Sequence, residues 1–261
     1  MNIIVNADDF GHSLSANLGV IEAYQKGVVT SASIMTNMPG WDHALDFLKS
    51  HPQFCVGLHA NLVEGIPLTE AARSLVNEKG VFYPDHFEGR ADLDVVKNEV
   101  RAQINKLIEA GIEPTHLDSH YHIHTMEKFW PVFFDLALEF KLPLRIRGEK
   151  MKNAARNMGI PTTDFLIEDF FSEPSAQKLT DILDLKKKNQ SHSERSLVVE
   201  VMVHPVCFSE EDSRVSDYHF QRRSEMMELM RIHSENLWKT KKFYMLSYQD
   251  LKERGAILSK S

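Results

Sequence analysis

The sequence predicts an α/β fold built on a mostly parallel sheet. Short runs rich in β-branched residues alternate with longer helical patterns along the whole chain. The run Leu197–Val203 is almost continuously apolar, as expected of a strand covered on both faces. Acidic residues and histidines recur where such strands end. In a parallel barrel or doubly wound sheet, that is the end that carries chemistry. About seven or eight strands fit the chain. They could close into a barrel or stay open.

Ile3–Val5 reads as the first strand. Residues 13–26 read as a helix: Leu14, Leu18, Ile21 and Tyr24 keep helical spacing, Ser13 or Ser15 can cap its start, and Gly27 suits its end. Residues 31–36 form a second strand, residues 41–50 a short helix stopped before Pro52, and residues 54–59 a third strand. Residues 64–89 are polar, carry Gly and Pro, and are too long for a simple connection, so they read as an inserted loop. Residues 92–110 form a helix with Val95, Val96, Val100, Ile104, Leu107 and Ile108 on one side. Residues 115–124 are expected to be a strand, 127–140 a helix, and 144–147 and 164–170 further strands. Lys186, Lys187 and Lys188, beside Asn189, Gln190 and Ser191, are expected in a solvated loop. Residues 197–204 are a strand, 210–237 helical, and 243–246 a last strand. With no repeat, low-complexity tract or linker, residues 1–261 are read as one domain.

Composition narrows the classes. Hydrophobic residues make up 43% and charged residues 26%, which suits a globular protein and argues against extensive disorder. The net charge of −7 lacks the clustered positive charge that nucleic acid requires. No run reaches the roughly 18 apolar residues of a membrane span. The N-terminus enters a strand without a basic n-region, so a cytoplasmic location is expected. Two cysteines, Cys55 and Cys207, imply no disulfide framework and read as packing residues.

The chemistry sits in four places. Asn6-Ala7-Asp8-Asp9 ends the first strand, His59 the third, and His204-Pro205 the late apolar one. Asp118-Ser119-His120-Tyr121-His122-Ile123-His124 lies on the expected strand between them. Residues two apart in a strand share a face, so Asp118, His120, His122 and His124 should point one way. Adjacent carboxylates in a poorly solvated place need compensation, and a cation supplies it. Imidazole with carboxylate suits Zn²⁺, Mn²⁺, Fe²⁺, Co²⁺ or Ni²⁺, whereas Mg²⁺ prefers oxygen ligands. The spacing does not rank the three histidines between 120 and 124.

NADDFG at 6–11, GLH at 57–59, THLDSHYHIH at 115–124 and VMVHP at 201–205 resemble the YdjC family of carbohydrate deacetylases, in order and over essentially the whole chain. The resemblance implies a distorted (β/α) barrel of about seven strands, related to polysaccharide deacetylases. It implies one divalent metal ion, often Mg²⁺, and hydrolysis of N-acetyl groups on acetylated oligosaccharides such as chitooligosaccharides. A homodimer is also implied. By position, Asp8 would be the catalytic base and His204 the general acid. Asp9, His59 and His120 would hold the metal, with His122 the alternative to His120. His122, His124 and Arg147 would stand behind these or meet substrate. Arg145 or Arg147 could orient Asp8 or bind a sugar hydroxyl, and Trp41, Trp130 or Tyr83 could stack on a sugar ring.

Two rivals remain at this level. A metal-dependent phosphoesterase of the amidohydrolase or PHP type also places His and Asp at barrel strand ends, but HxH is expected on its first strand, where this chain has NADDFG. A non-catalytic sugar-binding protein would keep the residues and lack turnover.

Overall fold

The computed structural model describes residues 1–82, 91–189, 196–207 and 218–258. Seven strands form one sheet: β1 (Asn2–Phe10), β2 (Ser31–Ile34), β3 (Cys55–Ala60), β4 (Leu117–Ser119), β5 (Phe165–Ile167), β6 (Val198–Val203) and β7 (Tyr244–Met245). Their order is β4-β3-β2-β1-β6-β5, with β7 also on β1, and every pairing is parallel. The sheet is therefore a half-barrel of the expected α/β class. All its strands aim their C-terminal ends at one rim, where the loops meet.

The helices cover the sheet: α1 (Leu14–Gln25), α2 (Trp41–Ser50), α3 (Leu93–Glu109), α4 (Trp130–Glu139), α5 (Glu149–Asn157), α6 (Ala176–Asn189), α7 (Tyr218–Ser234), α8 (Leu237–Thr240) and α9 (Tyr248–Leu258). Ser13 is the cap of α1, accepting from the Ala16 N–H at 3.3 Å. Of the apolar side expected for α3, Val96, Val100, Ile104 and Leu107 are buried, while Val95 is half-buried and Ile108 is exposed at the edge of that face. One main core packs the inward strand residues, such as Ile3, Val5, Leu58 and Val201, against these helices.

Several expectations change. The strand expected over 115–124 ends at Ser119, and His120–Thr125 coils into a tight 3₁₀ turn. Tyr121 and His122 sit in the left-handed region, at φ 52° and 53°, so alternation fails beyond His120. Residues 144–147 make no regular strand; Leu144 joins Leu117 through a single bridge. Residues 127–129 are a 3₁₀ turn leading into α4. Lys186, Lys187 and Lys188 lie in the last turn of α6, where positive charge complements the helix dipole, and not in a loop. Residues 210–217 of the expected late helix, the end of the 64–89 loop with Tyr83, and Gln190 and Ser191 lie outside the described residues.

Candidate active site

The first motif sits on a distorted strand end. β1 pairs with β2 in register at Ala7↔Ala32, and then at Phe10↔Ile34, so β1 carries one extra residue there. Asp9 takes up the distortion at φ 64°. This turns two adjacent side chains toward one site, which regular alternation forbids. The bend falls on Asp9 itself, and Gly11 follows it at φ 85°. A Cβ on Gly11 would stand 2.6 Å from the Met35 carbonyl oxygen, so only glycine fits. The Gly11 N–H donates to Asn17 Oδ1 at 2.6 Å, tying this turn to α1.

Asp8 and Asp9 have different surroundings. The Arg145 guanidinium grips Asp8 with two hydrogen bonds, of 2.6 and 2.7 Å, and Asn6 Nδ2 donates a third at 2.8 Å. Burial would raise the Asp8 carboxyl, but Arg145 and His59 together outweigh it and hold the group below its ordinary value. Asp9 Oδ1 faces two imidazoles, His120 Nδ1 at 3.0 Å and His59 Nε2 at 3.4 Å. Asp9 Oδ2 ion-pairs with Arg222 of α7 at 2.6 Å.

Both imidazoles are backed by a second carboxylate. His59 stands beside Asp118 in the β3–β4 register, and its Nδ1 meets Asp118 Oδ1 at 2.8 Å. With that nitrogen donating, Nε2 is the nitrogen on the Asp9 side, and it offers a lone pair there once the ring exchanges its second proton for a bound cation. Burial would lower the His59 imidazole, yet Asp118 and Asp8 push it up to about 10. His120 is arranged alike, with Nε2 at 3.4 Å from Glu64 Oε1.

Among the described residues, two groupings could hold a cation: Asp9, His59 and His120, or Asp8, His59 and Asp118. The second is already tied into an ion-pair network. Arg145 pairs with Asp8, with Asp118 Oδ2 at 2.9 Å and with Glu200 Oε1 at 2.7 Å, and Ser33 donates to Asp118 Oδ2 at 2.7 Å. The first is engaged on one side only: Arg222 takes Asp9 Oδ2, while Asp9 Oδ1 faces His59 and His120, and both oxygens are buried without a well-formed hydrogen bond. Two imidazoles and one carboxylate with unfilled acceptor capacity fit a divalent metal.

His204 follows β6 and approaches from the other side, with Nε2 4.0 Å from Asp8 Oδ2. Glu225 of α7 accepts the His204 backbone N–H at 2.5 Å and lies 3.7 Å from its Nδ1. His122 turns away toward Glu168 Oε2, at 3.7 Å. His124 is fully buried against Ser119 Oγ at 2.7 Å, so neither it nor His122 joins the cluster on Asp9. Arg147 does not reach Asp8; it ion-pairs with Glu168 at 2.9 Å, half exposed, and Arg145 is the arginine on Asp8. Trp41 is buried with the Lys106 ammonium over its ring, and Trp130 donates to the Thr125 carbonyl and stacks on Phe134, so both indoles are engaged within the chain.

Sequence reasoning passed over Asp118 as an orienting group, and over Glu64, Glu200, Arg222 and Glu225. Asp118 had a signal, since His59 and Asp118 end adjacent strands. Arg222 and Glu225 had a weaker one, three apart on one helix face.

This is a parallel α/β half-barrel in which two histidines and an aspartate, able to hold a divalent metal ion, converge at the strand ends beside an arginine-bound aspartate. The chain itself belongs to the YdjC-like protein family, whose model matches residues 2–254. It is 33% identical over 257 residues to a carbohydrate deacetylase of Brevibacillus brevis, covering 96% of this chain and all of that one. It is 33% identical to the chitooligosaccharide deacetylase of Proteus mirabilis, covering 95% and 98%. The crystal structure of a candidate cellobiose-phosphate cleavage protein from Enterococcus faecalis V583 matches with a TM-score of 0.85 at 29% identity, covering 96% of this chain and 98% of that one.

Proposed function

We propose that this chain is a divalent-metal-dependent hydrolase that removes N-acetyl groups from acetylated oligosaccharides, chitooligosaccharides among them. The observation that carries the reading is the convergence of Asp9 Oδ1, His59 Nε2 and His120 Nδ1 beside Asp8 and His204, two proton-transfer groups outside the ligand set. The names of the deacetylase relatives supply the substrate class.

Asp9, His59 and His120 hold the metal. When bound, a divalent ion there polarises the acetamide carbonyl and acidifies a bound water. Asp8, kept ionised and fixed by Arg145, accepts a proton from the attacking water. Water oxygen bonds to the acetyl carbon and the C–N bond breaks. His204 Nε2 gives a proton to the departing sugar amine, leaving acetate and a free amino sugar. Arg147 and His122, both against Glu168, are the proposed contacts to the sugar. Two imidazoles favour Zn²⁺ or another transition metal, while the family resemblance favours Mg²⁺.

The test is acetate release from N-acetylated chitobiose and a panel of acetylated sugars by the metal-depleted chain, reloaded in turn with Mg²⁺, Mn²⁺, Co²⁺ and Zn²⁺. Metal-dependent acetate release is expected. Metal uptake with no acetate from any sugar overturns the reading, and release of phosphate from sugar phosphates would favour the phosphoesterase alternative.

A further inference from the structure

Resting on that metal reading, we propose that Glu64 is a positioning residue that fixes the ring of His120 as a metal ligand, and that His12 fixes Glu64. The chain His12–Glu64–His120 runs from the mouth of the site to Asp9. His12 Nε2 lies 3.1 Å from Glu64 Oε2, Glu64 Oε1 lies 3.4 Å from His120 Nε2, and His120 Nδ1 lies 3.0 Å from Asp9 Oδ1.

A neutral imidazole ring carries one N–H and one lone pair. Both nitrogens of His120 face carboxylates, so the tautomer decides which one can bind a cation. With Nε2–H donating to Glu64, the lone pair sits on Nδ1, toward Asp9. His59 is built in the same way, its Nδ1–H on Asp118 and its Nε2 lone pair toward Asp9. Each ligand imidazole thus has its own carboxylate on the far nitrogen, an arrangement that orients a ligand ring and raises its basicity.

The loop that carries Glu64 is held by buried polar groups that core packing does not call for. Asn61 Oδ1 accepts the N–H groups of Val63 and Glu64, each at 3.2 Å, and Asn61 Nδ2 donates to the Glu64 carbonyl at 2.9 Å. Gln103 clamps the Asn61 backbone from both sides, at 2.9 and 2.8 Å. Glu99, one turn earlier on α3, takes the N–H groups of Leu68 and Thr69. Both α3 residues are fully buried on its otherwise apolar face. The backbone at Glu64 is thereby fixed, and its side chain, about one-third exposed, is left pointing at His120 and His12.

The experiment titrates the metal-free full chain with Co²⁺, following visible d–d absorption and bound metal by equilibrium dialysis. Parent, Glu64→Ala, Glu64→Gln and His12→Ala are compared, with circular dichroism and thermal unfolding as folding controls. Glu64→Ala should weaken Co²⁺ binding by about 10–100-fold. Glu64→Gln, whose amide oxygen can still accept from Nε2, should recover much of that loss and keep the parental band positions. His12→Ala should give a smaller loss of the same kind. A folded Glu64→Ala that binds Co²⁺ as tightly as the parent overturns the proposal and leaves the metal reading standing. A Glu64→Gln with shifted bands and full loss of affinity makes Glu64 a ligand and overturns the positioning role. A parent that takes up no Co²⁺ overturns both.

Discussion

Asp8 and Asp9 are adjacent in sequence, and each faces a different cation. Asp8 gives both oxygens to the Arg145 guanidinium, while Asp9 gives Oδ1 to the histidine pair. Their isosteric amides should therefore fail differently. Asp9→Asn should weaken metal binding, because a neutral amide is a poorer ligand for a dication. Asp8→Asn should bind metal and lose turnover, because an amide cannot accept the proton of water. Metal titration beside acetate release reads both. Parental turnover in Asp8→Asn would remove Asp8 from the base role.

Arg145 is fully buried and, among the described residues, is the one guanidinium in contact with Asp8, Asp118 and Glu200. Glu200 also accepts Tyr248 Oη at 2.5 Å, so α9 closes the far side of this network. Removing the cation leaves buried carboxylates uncompensated. Arg145→Met should lose about 3–5 kcal/mol of stability. Denaturant unfolding measures it, and a loss under about 1 kcal/mol would mean that water or protons replace the guanidinium freely.

His204 is separated from the ligand cluster, with Nε2 nearest Asp8. His204→Ala should keep its metal and lose about 10²–10⁴-fold in turnover. Metal content by elemental analysis, run beside acetate release, decides the assignment. A variant stripped of metal would make His204 a ligand.

The parallel sheet was legible because strand–helix alternation and the apolar run 197–203 are local signals. So was a cluster at the strand ends, through Asp8, Asp9 and His59 with one of the three histidines between 120 and 124. What escaped was set by backbone irregularity and tertiary placement. The left-handed turn at Tyr121 and His122 breaks the two-residue period, so His122 and His124 leave the face that alternation gave them. Arg145 and Arg147 are equivalent by spacing. Their distinction comes from the single bridge Leu117↔Leu144, which carries Arg145 into the interior and leaves Arg147 at the rim. Glu64, Arg222 and Glu225 come from a loop and a helix, where no strand-end rule points to them.

His116 lies beneath the site, with Nε2 2.9 Å from Ser33 Oγ, Nδ1 3.0 Å from Thr115 Oγ1 and its ring stacked on Tyr248 at 3.8 Å. Gly57 makes room for it, since a Cβ there would stand 2.3 Å from Nδ1. Burial lowers the His116 imidazole to about 3, so it is neutral in the folded chain. The unfolded chain titrates near the ordinary value of about 6.5. Between these values the unfolded state binds the extra proton, so this contribution to stability is full above about pH 6.5 and declines as pH falls toward 3. From pH 7 to pH 5 it amounts to about 2 kcal/mol. His116→Gln cannot titrate, so metal-free parent protein should lose about that much more than the variant over this interval, other groups cancelling in the difference. Denaturant unfolding of both at pH 7 and pH 5 measures it. Equal losses would mean that His116 takes up its proton as readily folded as unfolded, and that the neutral imidazole is not what the fold selects.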